Sequence, residues 1–298
     1  MNALHQPVLL KEVLEIFDPR PGQTYIDATV DGGGHAAAIV ERITPGGTLL
    51  GIDWDCDLIR ALKIKNQKLN IKNIELICEN YANIRTIAAK HNARDVNGIL
   101  FDLGFSSFHI EKSGRGFTFA KDEPLDMRYS PDKNGLTAAE IVNRWPEEAI
   151  SDLLRKFGEE RFARRIARAI VRARARKGIV STRALTEIIF KGVPSIYRRG
   201  RLHPATRTFQ ALRLAVNREL ESLERVLPDA ASLLAPGGKM AIISFHSLED
   251  RVVKTFMRIE SRKGAMRILT PKPLRAAREE ITMNPRSRSA RLRAMIKL

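Results

Sequence analysis

Asp27-Ala-Thr-Val-Asp-Gly-Gly-Gly-His35 is the stretch that decides the fold. It follows a short apolar strand candidate around Tyr25 and Ile26 and precedes Ala36 to Val40, which reads as a helix. Three glycines let the backbone turn tightly and approach a ligand, while the new helix offers free N–H groups. Thr48-Leu-Leu-Gly-Ile-Asp53 then supplies a second strand ending in a carboxylate, at the spacing where such a group accepts hydrogen bonds from two ribose hydroxyls. Together they read as the binding edge for a nucleoside-bearing cofactor.

Outward from this edge the alternation of strand and helix continues. Pro7 to Phe17 is expected as an amphipathic helix stopped by Asp18-Pro-Arg-Pro-Gly22. A helix opens at Asp55 or Asp57 and runs to about Leu69, Ile74-Glu-Leu-Ile77 is a third strand, Tyr81 to His91 a third helix, and Gly98-Ile-Leu-Phe-Asp102 a fourth strand. This is the pattern of a parallel, doubly wound α/β sheet. It is then interrupted by an irregular loop and a helical tract. Thr137 and Glu140 have capping-box spacing, Pro146 suits a helix start, and Glu159 to Arg176 carries an apolar stripe of Phe162, Ile166, Ala169 and Ile170 among seven arginines. Thr182 to Phe190 is a further helix and Tyr197-Arg-Arg-Gly-Arg201 a basic loop. The expected organisation is a core in two parts, 1–109 and 206–298, with a helical, RNA-recognising insert at 110–205. A helical tract from Ala205 to Ala231, kinked or divided at Pro228, leads into a fifth strand at Lys239 to Ser244, a helix from Leu248 to Ile259, and a final edge strand at Ser289 to Leu298.

The net charge of +17 raises the local concentration of polyanions, so nucleic acid is the leading partner; an anionic membrane and plain solubility are the alternatives. The two cysteines, Cys56 and Cys78, lack C-x-x-C spacing, so neither a disulfide scaffold nor a thiolate metal site is indicated. The six histidines are too dispersed for a metal set. The first residues are too short and polar for a signal sequence, and no apolar run approaches membrane-spanning length, so a cytoplasmic protein without a membrane role is expected.

The glycine loop also satisfies a relaxed G-x-G-x-x-A pattern, which keeps an NAD-dependent oxidoreductase open. Asp27 and Asp102 argue for S-adenosylmethionine instead, because its ammonium and sulfonium favour acidic neighbours. Asp53 reads as the ribose ligand or as a cap for the helix beginning near Asp55. Tyr81 stacks near an adenine or packs between helix and sheet. Asp102, with Leu103-Gly104 turning beside it, is the first candidate to orient a reacting amino group. His246 follows the fifth strand either as a base, or base-orienting group, or as a structural hydrogen-bonding residue. His203 reaches substrate or marks a turn with Pro204, and Asn217 is a secondary candidate for ordering this region. Phe105 and Phe108 stack on an extruded base or pack against the insert. Arg115, Arg128, Arg199, Arg201 and Arg207 flank irregular segments and are the phosphate candidates.

A set of marks running in order over nearly the whole chain resembles the RsmH family, also called MraW. They are Asp27–His35, Asp102-Leu-Gly-Phe-Ser-Ser107, Arg115-Gly-Phe-Thr-Phe119 with Pro124-Leu-Asp-Met-Arg128, Gly158-Glu-Glu-Arg-Phe162, His203-Pro-Ala-Thr-Arg-Thr-Phe-Gln210, Ile243-Ser-Phe-His-Ser-Leu-Glu-Asp-Arg251 and Asn284-Pro-Arg-Ser-Arg288. The resemblance implies a Rossmann-like class I S-adenosylmethionine-dependent methyltransferase with a mostly parallel seven-stranded sheet interrupted by a helical insert domain. Its implied reaction is methylation of the exocyclic N4 of a cytidine in the decoding region of 16S rRNA, within a small ribosomal subunit or its late assembly intermediate. Carried over by position, the implied cofactor contacts are Gly33, Gly34, His35, Asp53, Tyr81, Asp102 and, where a glutamine is usual, His109. Asp31 stands where a glycine is usual, Phe108 replaces a proline, and the region between Met257 and Asn284 is shorter than in many relatives. A nonenzymatic RNA-binding assembly protein stays open beside the enzyme, and monomer and homodimer are both open.

Overall fold

The computed structural model describes residues 7–68, 71–104 and 106–298. Its chain order begins with α1 (Leu10–Phe17), β1 (Thr24–Asp27), α2 (Gly34–Ile43), β2 (Thr48–Asp53), α3 (Cys56–Lys68), β3 (Ile74–Cys78), α4 (Ile84–Lys90) and β4 (Val96–Asp102). Seven helices follow: α5 (Ser107–Glu111), α6 (Ala138–Arg144), α7 (Glu147–Gly158), α8 (Ala163–Arg174), α9 (Thr182–Gly192), α10 (Ser195–Arg198) and α11 (Thr206–Val216). The chain continues with α12 (Glu219–Leu233), β5 (Leu234–Ser244), α13 (Ser247–Arg262), β6 (Met266–Ile268) and β7 (Arg291–Lys297).

It divides into two compact units, one of residues 1–106 and 220–298, the other of Ser107–Glu219. The first holds a seven-stranded sheet in the order β3-β2-β1-β4-β5-β7-β6. Its first five strands run parallel, and β7 is antiparallel to both β5 and β6. Strands covered on both faces need apolar side chains at consecutive positions, which β2, β4 and β5 supply. In β4, Ile99 and Phe101 join Ile84, Leu223, Val226 and Val253 on one face, while Leu100 joins Val13, Ile39, Ile43 and Ile59 on the other. Asp27, Asp53 and Asp102 are the last residues of β1, β2 and β4, so the period of the sheet delivers three carboxylates to one edge.

The sheet corrects three expectations. The carboxyl-terminal strand is not at the edge: β7 lies between β5 and the three-residue β6, which takes the edge. Cys56 and Cys78 form a disulfide with a Cα separation of 5.1 Å. They meet because Asp53 pairs with Cys78 in the β2–β3 register, which carries the start of α3 over the end of β3. The tract from Ala205 to Ala231 is two helices, broken where Arg218 takes a left-handed φ of 50°, and α12 then runs through Pro228.

The second unit is all helical around its own core of Ile141, Leu154, Ile166, Ile170, Leu185 and Leu212. Thr137 and Glu140 close the capping box at the start of α6. This unit extends past 205 because α11 belongs to it: Phe209, Leu212 and Val216 are buried in its core, and Gly158 of α7 lies so close to the Arg207 carbonyl that a Cβ there would approach to 2.8 Å. Among the described residues no helix is long and apolar enough to cross a membrane.

Candidate cofactor and active site

The 27–35 loop is held by backbone bonds to both neighbouring strands. Ala28 N–H donates to the Leu100 carbonyl and Val30 N–H to the Ile52 carbonyl. Gly33 takes a left-handed φ of 77° as the residue preceding α2, a conformation that costs a glycine little. Thr29 Oγ1 accepts the backbone N–H of Asp102 at 2.6 Å, which ties the loop to the end of β4. On the other side Asp53 accepts the N–H groups of Asp55 at 2.9 Å and Asp31 at 3.1 Å.

Six acidic groups, Asp27, Asp31, Asp53, Asp55, Asp102 and Glu249, interact across this edge. Burial, opposed by the Thr29 N–H and reinforced by Asp31, lifts Asp27 to about 7. Burial lifts Asp53 to about 8, with Asp31 and Asp55 adding to the effect and the two backbone N–H groups opposing it. Asp102 is raised well above the ordinary carboxylate range, first by burial and then by Asp31, Asp27 and Glu249. Its Oδ1 is buried with no hydrogen-bond partner among the described residues, and its Oδ2 lies 3.6 Å from His35 Nδ1. His35 Nε2 is 2.9 Å from the Val8 carbonyl, so that nitrogen donates and the ring is fixed beneath the loop. Crowded carboxylates with an unpaired buried oxygen fit a ligand that carries positive charge at one end and a ribose at the other, and they oppose a pyrophosphate.

Tyr81 sets its ring edge-on to Phe101 at 5.9 Å, against the sheet core. His246 caps α13: its Nδ1 accepts the Glu249 N–H at 3.3 Å, and the Glu249 carboxylate returns to the N–H groups of Phe245 and His246. Asp250 is paired with Arg291 and Arg293, which hold its carboxyl below the usual range despite its burial. Thr29 and Glu249 received no role from sequence reasoning. The signal for Glu249 was available, since it stands three residues after His246, at capping-box spacing.

This chain matches the profile of the MraW methylase family over residues 2–298. The chain belongs to the MraW methylase family. Among curated relatives of this family, the ribosomal RNA small subunit methyltransferase H of Heliobacterium mobile is 42% identical over 314 residues, covering 100% of both chains. That of Pelobacter propionicus is 45% identical over 310 residues, covering 99% of this chain and 98% of its own. Among solved structures, an rRNA methylase from Streptococcus thermophilus superposes with a TM-score of 0.48 at 9% identity over 98% of each chain.

The remaining candidates fall in the second unit of this MraW chain, apart from Phe105, which lies outside the described residues. His109 is buried with its ring centroid 4.9 Å from those of Phe117 and Tyr129, and Phe108 meets it edge-on at 6.0 Å. Arg115 donates to the carbonyls of Arg128 and Tyr129, while Arg128 forks the Asp126 carboxylate and donates to the carbonyls of Pro131 and Asn134. Asn217 donates to the Met127 carbonyl and accepts the Tyr129 N–H, and Arg207 donates to the Glu159 carbonyl. His203 stacks on Phe119 at 4.7 Å. Arg199 and Arg201 stay exposed, in a span, 161–207, that has fourteen lysines and arginines against Glu187 alone.

Proposed function

We propose that the chain transfers the methyl group of S-adenosylmethionine to the exocyclic N4 of a specific cytidine in the decoding region of 16S rRNA. The observation that carries this reading is Asp102, whose unpartnered buried oxygen ends the fourth strand of a MraW-family sheet. The names of the curated relatives support ribosomal small-subunit RNA as the substrate class, and the cation-rich 161–207 span supports RNA as the partner. Such a substrate, in the small subunit or its late assembly intermediate, places the work in the cytoplasm.

Cytosine N4 is a weak nucleophile because its lone pair is delocalised into the ring. An acceptor that takes one of its hydrogens restores density on nitrogen, and Asp102 Oδ1 supplies that acceptor when ionised. When bound, the cofactor supplies an electrophilic methyl carbon and positive charge that favours the ionised Asp102. The chain contributes placement: Thr29 and the Leu103 N–H bond to Ile243 fix the backbone on both sides of the carboxylate. Holding nucleophile and electrophile in line supplies roughly 7–11 kcal/mol in favourable cases. The proton leaving N4 passes to solvent.

Incubation of the purified chain with methyl-labelled S-adenosylmethionine and immature small subunits tests this reading. Label on the amino group of one decoding-region cytidine is the expected result. A folded, cofactor-binding protein that transfers no label at any assembly stage would reject it.

A further inference from the structure

Among the described residues, two buried polar atoms stand without a hydrogen-bond partner at neighbouring strand ends of the sheet unit: Asp102 Oδ1 and His246 Nε2. Asp102 is the register partner of Ile243, and Leu103 N–H donates to the Ile243 carbonyl at 2.9 Å. His246 follows Ile243 by three residues as the cap of α13, just past the end of β5, so both groups stand at the carboxyl edge of adjacent strands. The chemistry of His246 is set by the cap. Its Nδ1 accepts the Glu249 N–H, so the neutral ring carries its proton on Nε2. Glu249 Oε1 lies 3.1 Å from that nitrogen, yet the pair does not form a hydrogen bond, so among the described residues the donor has no hydrogen-bond acceptor.

One unused acceptor and one unused donor therefore share the carboxyl edge of two adjacent strands. Cytosine presents the complement on its Watson–Crick edge, a donor at N4 adjacent to an acceptor at N3. Uracil presents the reverse, an acceptor at O4 adjacent to a donor at N3. Resting on the cytosine reading above, we propose that His246 Nε2 donates to N3 while Asp102 Oδ1 accepts from N4, making His246 a specificity-determining residue that admits cytosine and rejects uracil. Glu249 is the positioning residue that keeps the ring in this tautomer.

Aspartate and asparagine both cap helices well, so His246→Asp and His246→Asn preserve α13, whereas only asparagine retains an N–H to donate. The test titrates cytidine 5′-monophosphate and uridine 5′-monophosphate into the full chain saturated with S-adenosylhomocysteine. The parent is expected to prefer the cytidine nucleotide by about 10-fold, the scale of one well-placed hydrogen-bond pair. The His246→Asp protein should bind the two within about 2-fold of each other, with its melting temperature and S-adenosylhomocysteine affinity at parental values, and His246→Asn should keep the cytidine preference. A folded His246→Asp protein that keeps the parental preference overturns the role of His246 and leaves the cytosine reading intact. A parent that binds S-adenosylhomocysteine but has no preference overturns both.

Discussion

Asp53 Oδ2 accepts the backbone N–H of Asp31 at 3.1 Å, so the carboxylate ending β2 fixes a second acidic residue beside it. Asp31 sits there with a left-handed φ of 45° and adds its charge to Asp27, Asp53 and Asp102. The carboxylate edge proposed to hold the cofactor is therefore organised by like charges, with consequences for stability and for the proposed binding.

Burial lifts Asp53 to about 8 from an ordinary 3.8, so the folded chain keeps a proton that the unfolded chain releases. A carboxyl raised in the folded state costs nothing below its unfolded value, and stability falls as pH rises from about 4 towards 8. Asp53→Asn removes that dependence: the ligand-free variant should melt above the parent at pH 8 and level with it near pH 4. Its affinity for S-adenosylhomocysteine should fall about 10-fold, the effect of losing one ionic ribose bond. Melting curves across pH and calorimetric titration check the two halves.

Asp31→Gly removes a charge and places a glycine where the backbone is left-handed. Ligand-free stability at pH 8 should rise by about 1 kcal/mol. The loss of stability with rising pH should also be smaller and end at a lower pH in denaturant titrations, because Asp27, Asp53 and Asp102 no longer face that neighbour.

Asp102→Ala should lower methyl transfer at least about 100-fold, in the range of a lost acid–base contact, while the protein stays folded. Single-turnover transfer at saturating cofactor separates this from a binding defect. Near-parental turnover would remove Asp102 from the reaction.

Arg199→Ala with Arg201→Ala should weaken RNA association and reduce the slope of log affinity against log salt by roughly 1.5, the effect of two lost phosphate contacts. S-adenosylhomocysteine binding should be unchanged. Equal salt titrations for variant and parent would rule these residues out as phosphate ligands.

Thr137→Ala opens the capping box of α6 and should cost about 1 kcal/mol. Hydrogen exchange should localise the loosening to the helical unit, leaving the protection of β1 and β4 unchanged.

Much of the sheet was legible because strands covered on both faces write themselves as apolar runs, as Ile99 to Phe101 do. The edge was misread because β6 has three residues, too few for a periodicity, so β7 looked like the margin. The helical unit runs to Glu219 rather than 205, and the break at Arg218 uses a left-handed arginine, with neither glycine nor proline to mark it in the sequence. The Cys56–Cys78 pairing depends on strand register, which no cysteine spacing encodes. At the site, the carboxylates could be placed from their positions at strand ends, but the His246 tautomer follows from a backbone bond. Arg115 and Arg128 read as phosphate candidates from their place beside irregular chain. The structure uses them to satisfy carbonyls of that same chain, a demand that irregular backbone creates and composition does not reveal.

The sheet unit is assembled from two stretches of chain, with Ser107–Glu219 between them. Its central strand β4 pairs with β5, which follows more than a hundred residues later, whereas the helical unit is continuous. Contacts that close long loops form slowly. During synthesis the helical unit can thus consolidate first, and the carboxylate edge at β4 acquires its second wall only once β5 has emerged, so that edge is among the last parts of the chain to take shape.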